Sequence, residues 1–184
     1  MSFLKSLPID AGLLEIHQAF PESARPLLEY QEALLRGESP FSAAERELIA
    51  AYVSGLNNCD YCCAIHSQVA VALGIPASTI DQMFANAENA DVDPKIRPVL
   101  ALARKVTFSP AKITSADTDA IFAAGWNDRA LHDAVAICGL FNLLNRFVNG
   151  LGIQVPDPYT RMVAQWVAKK GYAQSIEFLP ASEQ

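Results

Sequence analysis

Apolar residues recur at three- and four-residue intervals along almost the whole chain, and no run alternates with the two-residue rhythm of a strand. The stretch "SAAERELIAAYVSGLN", about residues 42–57, predicts a helix with Leu48, Ile49, Tyr52 and Val53 as its apolar stripe. Ser42 and Glu45 have capping-box spacing behind Pro40, and Glu45 and Arg46 are expected to face water. Asn57 and Asn58 favour a turn. A second helix follows from about 60 to 73 and stops at Gly74, with Pro76 beyond. Ser78 can open a short helix through Met83, and the polar "NAENADVDP" reads as a loop. Pro94 suits the first turn of a helix over about 94–107, with Val99, Leu100, Leu102, Ala103 and Val106 inward. Ser115 is placed to cap a helix through Ala124, ended by Gly125. Asn127 precedes the longest apolar pattern, about 128–149, striped by Leu131, Ala134, Val135, Cys138, Phe141, Leu144 and Phe147. A tail helix spans about 158–170. The fold class is therefore all-α, and the 184 residues suit a single domain.

Composition adds three constraints. Hydrophobic residues make up 51% of the chain and charged ones 18%, so some apolar surface is expected to lie between subunits. A net charge of −6 disfavours nucleic acid and anionic membrane surfaces as partners. The opening "MSFLKSLPIDAGLLEIHQAF" is broken by Pro8 and Asp10 and does not read as a signal peptide. Residues 61–80 carry no formal charge, but His66, Ser67, Gln68, Gly74 and Pro76 make them unfit to cross lipid. These features read as a soluble, cytoplasmic protein, a setting in which clustered cysteines are catalytic or metal-binding more often than structural.

Such a cluster exists. In "GLNNCDYCCAIHSQ", Cys59 and Cys62 form a C-x-x-C, Cys63 follows, and His66 lies one helical turn after Cys62 on the same face. Cys59 falls at the helix start and Cys62 in its first turn, where free backbone N–H groups favour a thiolate. An imidazole four residues on can exchange a proton with the Cys62 thiol. A nucleophilic thiol, a resolving thiol and a base make up dithiol–disulfide chemistry, including attack on a peroxide to give a sulfenic acid. Cys63 could pair in the same manner, but it points about 100° away from Cys62, and it reads more naturally as a small buried hydrophobe. Structural zinc and plain burial are the other uses of such a cluster; zinc wants four ligands, usually from two separated pairs.

Glu47 lies twelve residues before Cys59. If the two helices pack as an antiparallel hairpin, its side chain can meet His66, orient the ring and hold a relay proton. A solvated helix position is the alternative. Glu45 reads as the capping-box partner, and His17 and His132 read as structural or surface residues.

These residues resemble the AhpD-like alkylhydroperoxidases of the carboxymuconolactone decarboxylase superfamily. The signature is a glutamate, eleven residues, C-x-x-C, three residues and a histidine, met here by Glu47, Cys59, Cys62 and His66. The run from "VLALARKVTF" to "FVNGLGI" is similar to the peroxidase-related branch, so the likeness covers about residues 35–155, with helical extensions at both ends. The resemblance implies an AhpD-like helical bundle with the C-x-x-C at the N-terminal end of a central helix. It implies a homo-oligomer, commonly trimers or hexamers, and no bound cofactor. It implies organic hydroperoxide as substrate, Cys62 as the attacking thiol and Cys59 as the resolving thiol. His66 and Glu47 would then be the proton relay, acting partly through Cys59. A dithiol reductant protein, dihydrolipoyl-bearing in the best-understood members, would reopen the disulfide. Tyr61 stands where some members have a second histidine, and Cys63 is an added thiol. The decarboxylase branch lacks the cysteine pair, which disfavours lactone decarboxylation. In "FNLLNR", Asn142 and Arg146 are four apart and suit a supporting role at the site, a subunit contact or a core polar pair. A general thiol–disulfide oxidoreductase with weak peroxidase activity and a redox-sensing oligomer remain as alternative functions.

Overall fold

The computed structural model describes residues 2–154 and 159–181. Its helices are α1 (Leu13–Ala19), α2 (Pro21–Arg36), α3 (Ala43–Leu56), α4 (Asp60–Ala72), α5 (Ala77–Asn86), α6 (Ile96–Phe108), α7 (Ser115–Ala123), α8 (Asp128–Gly150) and α9 (Tyr159–Lys170). Single 3-10 turns occupy Pro110–Lys112 and Ala173–Phe178. No strand occurs among the described residues. None of the helices is long and apolar enough to cross a membrane.

The hairpin of α3 and α4 is the centre of the fold. Ser42 caps α3 through the Glu45 N–H, while the Glu45 carboxylate accepts from the Ser42 N–H at 2.7 Å. Asn57 and Asn58, the latter at φ 51°, turn the chain into α4, where Cys59 is the N-cap. Gly74, at φ 110°, ends this unit in a conformation that L side chains rarely adopt. α3 packs on α4, α6 and α8, and α9 covers another side of α4. Residues 46–54 of α3 are therefore buried without a break.

That burial corrects one expectation. Arg46 does not face water: it is 5% exposed, and its guanidinium donates to the carbonyls of Leu34 at 3.0 Å and Gly37 at 2.7 Å. It ties the end of α2 to the start of α3, satisfying carbonyls that a helix end leaves open. Other differences are small. α5 runs three residues past Met83, α6 begins at Ile96 with Pro94 in the preceding turn, and Thr114 rather than Ser115 precedes α7. On α8, Val135 is exposed, while Ile137 and Leu140 point inward. Residue 158, the expected start of the tail helix, lies outside the described residues.

Candidate active site

The C-x-x-C straddles the start of α4, and its two sulfurs differ in setting. Cys59 is fully buried, whereas Cys62 forms part of the wall of a cavity of about 360 Å³. His66 lines the same cavity one turn later. The Cys59 thiol is lowered to about 7, chiefly because the Cys62 thiol donates to it. Burial opposes this shift, and the Cys62 backbone N–H and the Asn145 amide favour it. The Cys62 thiol is pushed up by the same sharing and by burial. The pair thus holds one charge between two sulfurs, resting on Cys59 with the proton on Cys62. Cys63 is half-buried, with its thiol raised by burial, and it is not part of the cavity wall. Burial pushes Cys138 up to about 12, as expected of an inert core thiol.

Glu47 and His66 are brought together as the hairpin requires. His66 Nδ1 lies 2.7 Å from Glu47 Oε2, and the carboxylate is completely buried. With Nδ1 committed to a carboxylate, the neutral ring carries its proton there and leaves Nε2 as the nitrogen that exchanges protons. Phe141 meets the imidazole edge-on, with centroids 4.5 Å apart. Burial works to raise the Glu47 carboxyl, but the His66 ring, the Arg36 charge and the Tyr172 hydroxyl outweigh it and hold it below the usual carboxylate range.

Four participants escape sequence reasoning. Tyr172 donates from its hydroxyl to Glu47 Oε1 at 2.7 Å; burial and the Glu47 charge raise its own pKa, so it stays a donor. Arg36 Nη2 lies 2.7 Å from the same oxygen as an ion pair, not an aligned hydrogen bond, and the guanidinium covers the Tyr172 ring at 5.0 Å. Gly171, at φ 75°, turns the chain after α9 so that the Tyr172 and Ala173 N–H groups reach the Glu32 carboxylate on α2. Asn145, buried on α8, accepts from Asn57 and donates to Ser54 beside the sulfurs. His17 is the fourth. It is 7% exposed on the cavity wall, its Nε2 has no hydrogen-bond partner, and burial lowers it to about 4. His17 is thus placed at the candidate site, whereas His132 is a surface residue paired with Asp133. The only signal for Asn145 is its place in the "FNLLNR" run, where Asn142 instead bridges Asn57, Thr107 and Arg146.

Among the described residues, no group of three or more His, Cys, Asp or Glu side chains is placed to hold a metal ion. The buried sulfurs, the Glu47–His66 pair and an apolar cavity suit thiol chemistry on a small molecule.

Residues 21–105 match the carboxymuconolactone decarboxylase family. No curated protein sequence matches the chain. A peroxidase-related protein of Ralstonia eutropha JMP134, described as an alkylhydroperoxidase AhpD core, is 27% identical; the alignment covers 82% of this chain and 78% of that one, with a TM-score of 0.75. A peroxidase-related protein of Silicibacter sp. TM1040 is also 27% identical over 87% of this chain and 94% of that one, with a TM-score of 0.74. The debrominase Bmp8 shares the fold at 17% identity and a TM-score of 0.69, over 82% of this chain and 80% of that one. The Glu47, Cys59, Cys62 and His66 spacing on the α3–α4 hairpin thus lies in a chain that matches the carboxymuconolactone decarboxylase family over residues 21–105 and is similar to AhpD-like, peroxidase-related proteins of known structure.

Proposed function

We propose that the protein is a cysteine-dependent peroxidase that reduces organic hydroperoxides through a Cys59–Cys62 dithiol–disulfide cycle, with Glu47 and His66 as the proton relay. The observation that carries this reading is that Cys62 and His66 share one cavity wall while Glu47 holds His66 Nδ1 at 2.7 Å from behind. Transfer of the Cys62 proton to the Cys59 thiolate exposes a Cys62 thiolate to the cavity. That thiolate attacks one peroxide oxygen and the O–O bond breaks. The products are a Cys62 sulfenic acid and an alkoxide; the Cys59 thiol passes its proton to His66 Nε2, which hands it to the alkoxide, and the alcohol leaves. Cys59, again a thiolate, attacks the Cys62 sulfur and forms the S–S bond, and the expelled hydroxide leaves as water with a proton taken up from solvent through His66. The peroxide gains two electrons and the dithiol loses them. An external dithiol, for which a dihydrolipoyl protein is the proposed source, restores the pair. The negative end of the Glu47–Arg36–Tyr172 network stabilises the imidazolium formed between steps.

The cycle runs within one chain. The cytoplasmic setting belongs to the same proposal, as does the homo-oligomer, which exposed apolar side chains such as Leu143 and Phe108 support. The test is a thiol count. The reduced protein receives one equivalent of cumene hydroperoxide, is quenched, and its thiols are mapped by peptide mass spectrometry. Loss of two thiols within seconds as a Cys59–Cys62 link is expected. Survival of all four thiols over minutes would exclude the peroxidase and leave a disulfide exchanger.

A further inference from the structure

The cavity in front of Cys62 is built for a particular kind of molecule. Its volume of about 360 Å³ falls in the range of small-molecule sites. Its wall is largely apolar and includes Leu28, Leu144, Val148, Val163, Trp166 and Phe178, from α2, α8, α9 and the last 3-10 helix. None of its described lining residues is Asp, Glu, Lys or Arg. Its polar side chains besides Cys62 and His66 are neutral: His17, Gln31 and Ser175, with the rings of Tyr61, Trp166 and Tyr172. Glu47 and Arg36 stand behind His66 and Tyr172, already engaged with each other, and neither belongs to the wall. An ion entering this space would lose its hydration and find no opposite charge, whereas a hydroxyl or ether can use the neutral groups.

We infer that the cavity selects uncharged, hydrocarbon-rich hydroperoxides of aryl-alkyl size over hydrogen peroxide and over carboxylate-bearing hydroperoxides. This rests on the peroxidase reading for the reaction, but the selection itself belongs to the cavity and can be read without turnover. Hydrogen peroxide is too small to gain from the apolar wall, and a carboxylate cannot be paired inside it. Burial keeps His17 uncharged at neutral pH, so it offers a hydrogen bond and no counter-charge. Val163 and Trp166 place much of this selectivity on α9, outside the family-matched residues 21–105.

The test uses non-reacting product alcohols. Cumyl alcohol, or its para-carboxylate analogue, is added to the reduced full-length protein, and iodoacetamide labelling of Cys62 is followed by peptide mass spectrometry with Cys63 as internal reference. Cumyl alcohol is expected to slow Cys62 labelling at least about tenfold at saturation, and the carboxylate to have little effect. Val163→Trp, which fills the cavity, should remove the protection by cumyl alcohol. Gln31→Lys, which adds a cation to the wall, should bring protection by the carboxylate. Equal protection by both alcohols, or none by either, would overturn the inference. In turnover, cumene hydroperoxide should exceed hydrogen peroxide in kcat/KM at least about tenfold. Protection without any peroxide consumption would sink the peroxidase reading and leave the ligand class standing. Consumption of both peroxides at equal kcat/KM without protection would do the reverse.

Discussion

The Tyr172 hydroxyl donates to Glu47 Oε1 at 2.7 Å, joining the residue before the last 3-10 helix to α3 of the central hairpin. The other carboxylate oxygen carries His66 at 2.7 Å, so Glu47 joins a neighbour on the next helix to a residue 125 positions away. The hydroxyl also lies 3.3 Å from His66 Nδ1, so the tyrosine is placed to position the proposed relay.

Removing that hydroxyl separates positioning from folding. Tyr172→Phe keeps the ring under Arg36 and deletes one hydrogen bond to a buried charge, which costs about 1.5–3 kcal/mol of stability in urea unfolding. Because Tyr172 helps hold the Glu47 carboxyl low, its loss lets that pKa rise. The acid limb of the rate of Cys62 oxidation should therefore move to higher pH while the neutral rate falls modestly. An unchanged pH profile with the stability loss alone would make Tyr172 purely structural.

Glu47→Gln tests the relay itself. The amide keeps the shape and a hydrogen bond to His66 but removes the charge that stabilises an imidazolium. Loss of a positioned acid–base partner is worth about 10²–10⁴-fold in rate. The second-order rate of Cys62 oxidation by cumene hydroperoxide should fall within that range, with the folded state retained by circular dichroism. A rate within twofold of the parent would remove Glu47 from the chemistry.

The thiol charge depends on Asn145. Its amide helps lower Cys59 to about 7, and Cys62 is the larger cause. Asn145→Leu should raise the midpoint of the thiolate's ultraviolet absorbance against pH by roughly one unit. Cys62→Ala removes the larger donor and should raise it further. A midpoint that stays near 7 in both variants would mean that the helix start alone sets the charge.

Much of this site follows from local rules, and the rest does not. The capping box at Ser42, the Asn57–Asn58 turn and Gly74 delimit the α3–α4 hairpin, and a C-x-x-C followed by histidine lies within two turns of one helix. Spacing inside a helix is geometry, so Cys62 and His66 share a face as the sequence requires. The Glu47 contact needed only the assumption that neighbouring helices joined by a short turn pack antiparallel. Arg36, Asn145, His17 and Tyr172 reach the same place across loops and other helices, and no periodicity encodes those meetings. Arg46 departs from its expected exposed position for a related reason. An arginine beside an apolar stripe ordinarily marks the wet face, but α3 has no wet face between residues 46 and 54, and the guanidinium is consumed by carbonyls of α2 and the following turn.

His17 yields the last prediction, a pH dependence of stability. Its folded pKa is lowered from 6.5 to about 4 by burial. The unfolded chain therefore binds a proton that the folded chain refuses in that interval, and stability falls as pH drops from 6.5 to about 4, then levels off. At 1.36 kcal/mol per pKa unit the loss reaches about 3 kcal/mol as an upper bound. His17→Gln, which cannot protonate, should flatten this part of the curve in urea titrations at pH 7, 5.5 and 4.5. The decline below pH 4.5 should remain, because carboxylates held low in the fold, Glu47 and Asp133 among them, give up their stabilisation there. If the variant lost stability between pH 6.5 and 4.5 as steeply as the parent, His17 would not be a buried neutral ring, and the uncharged wall of the cavity would fail with it.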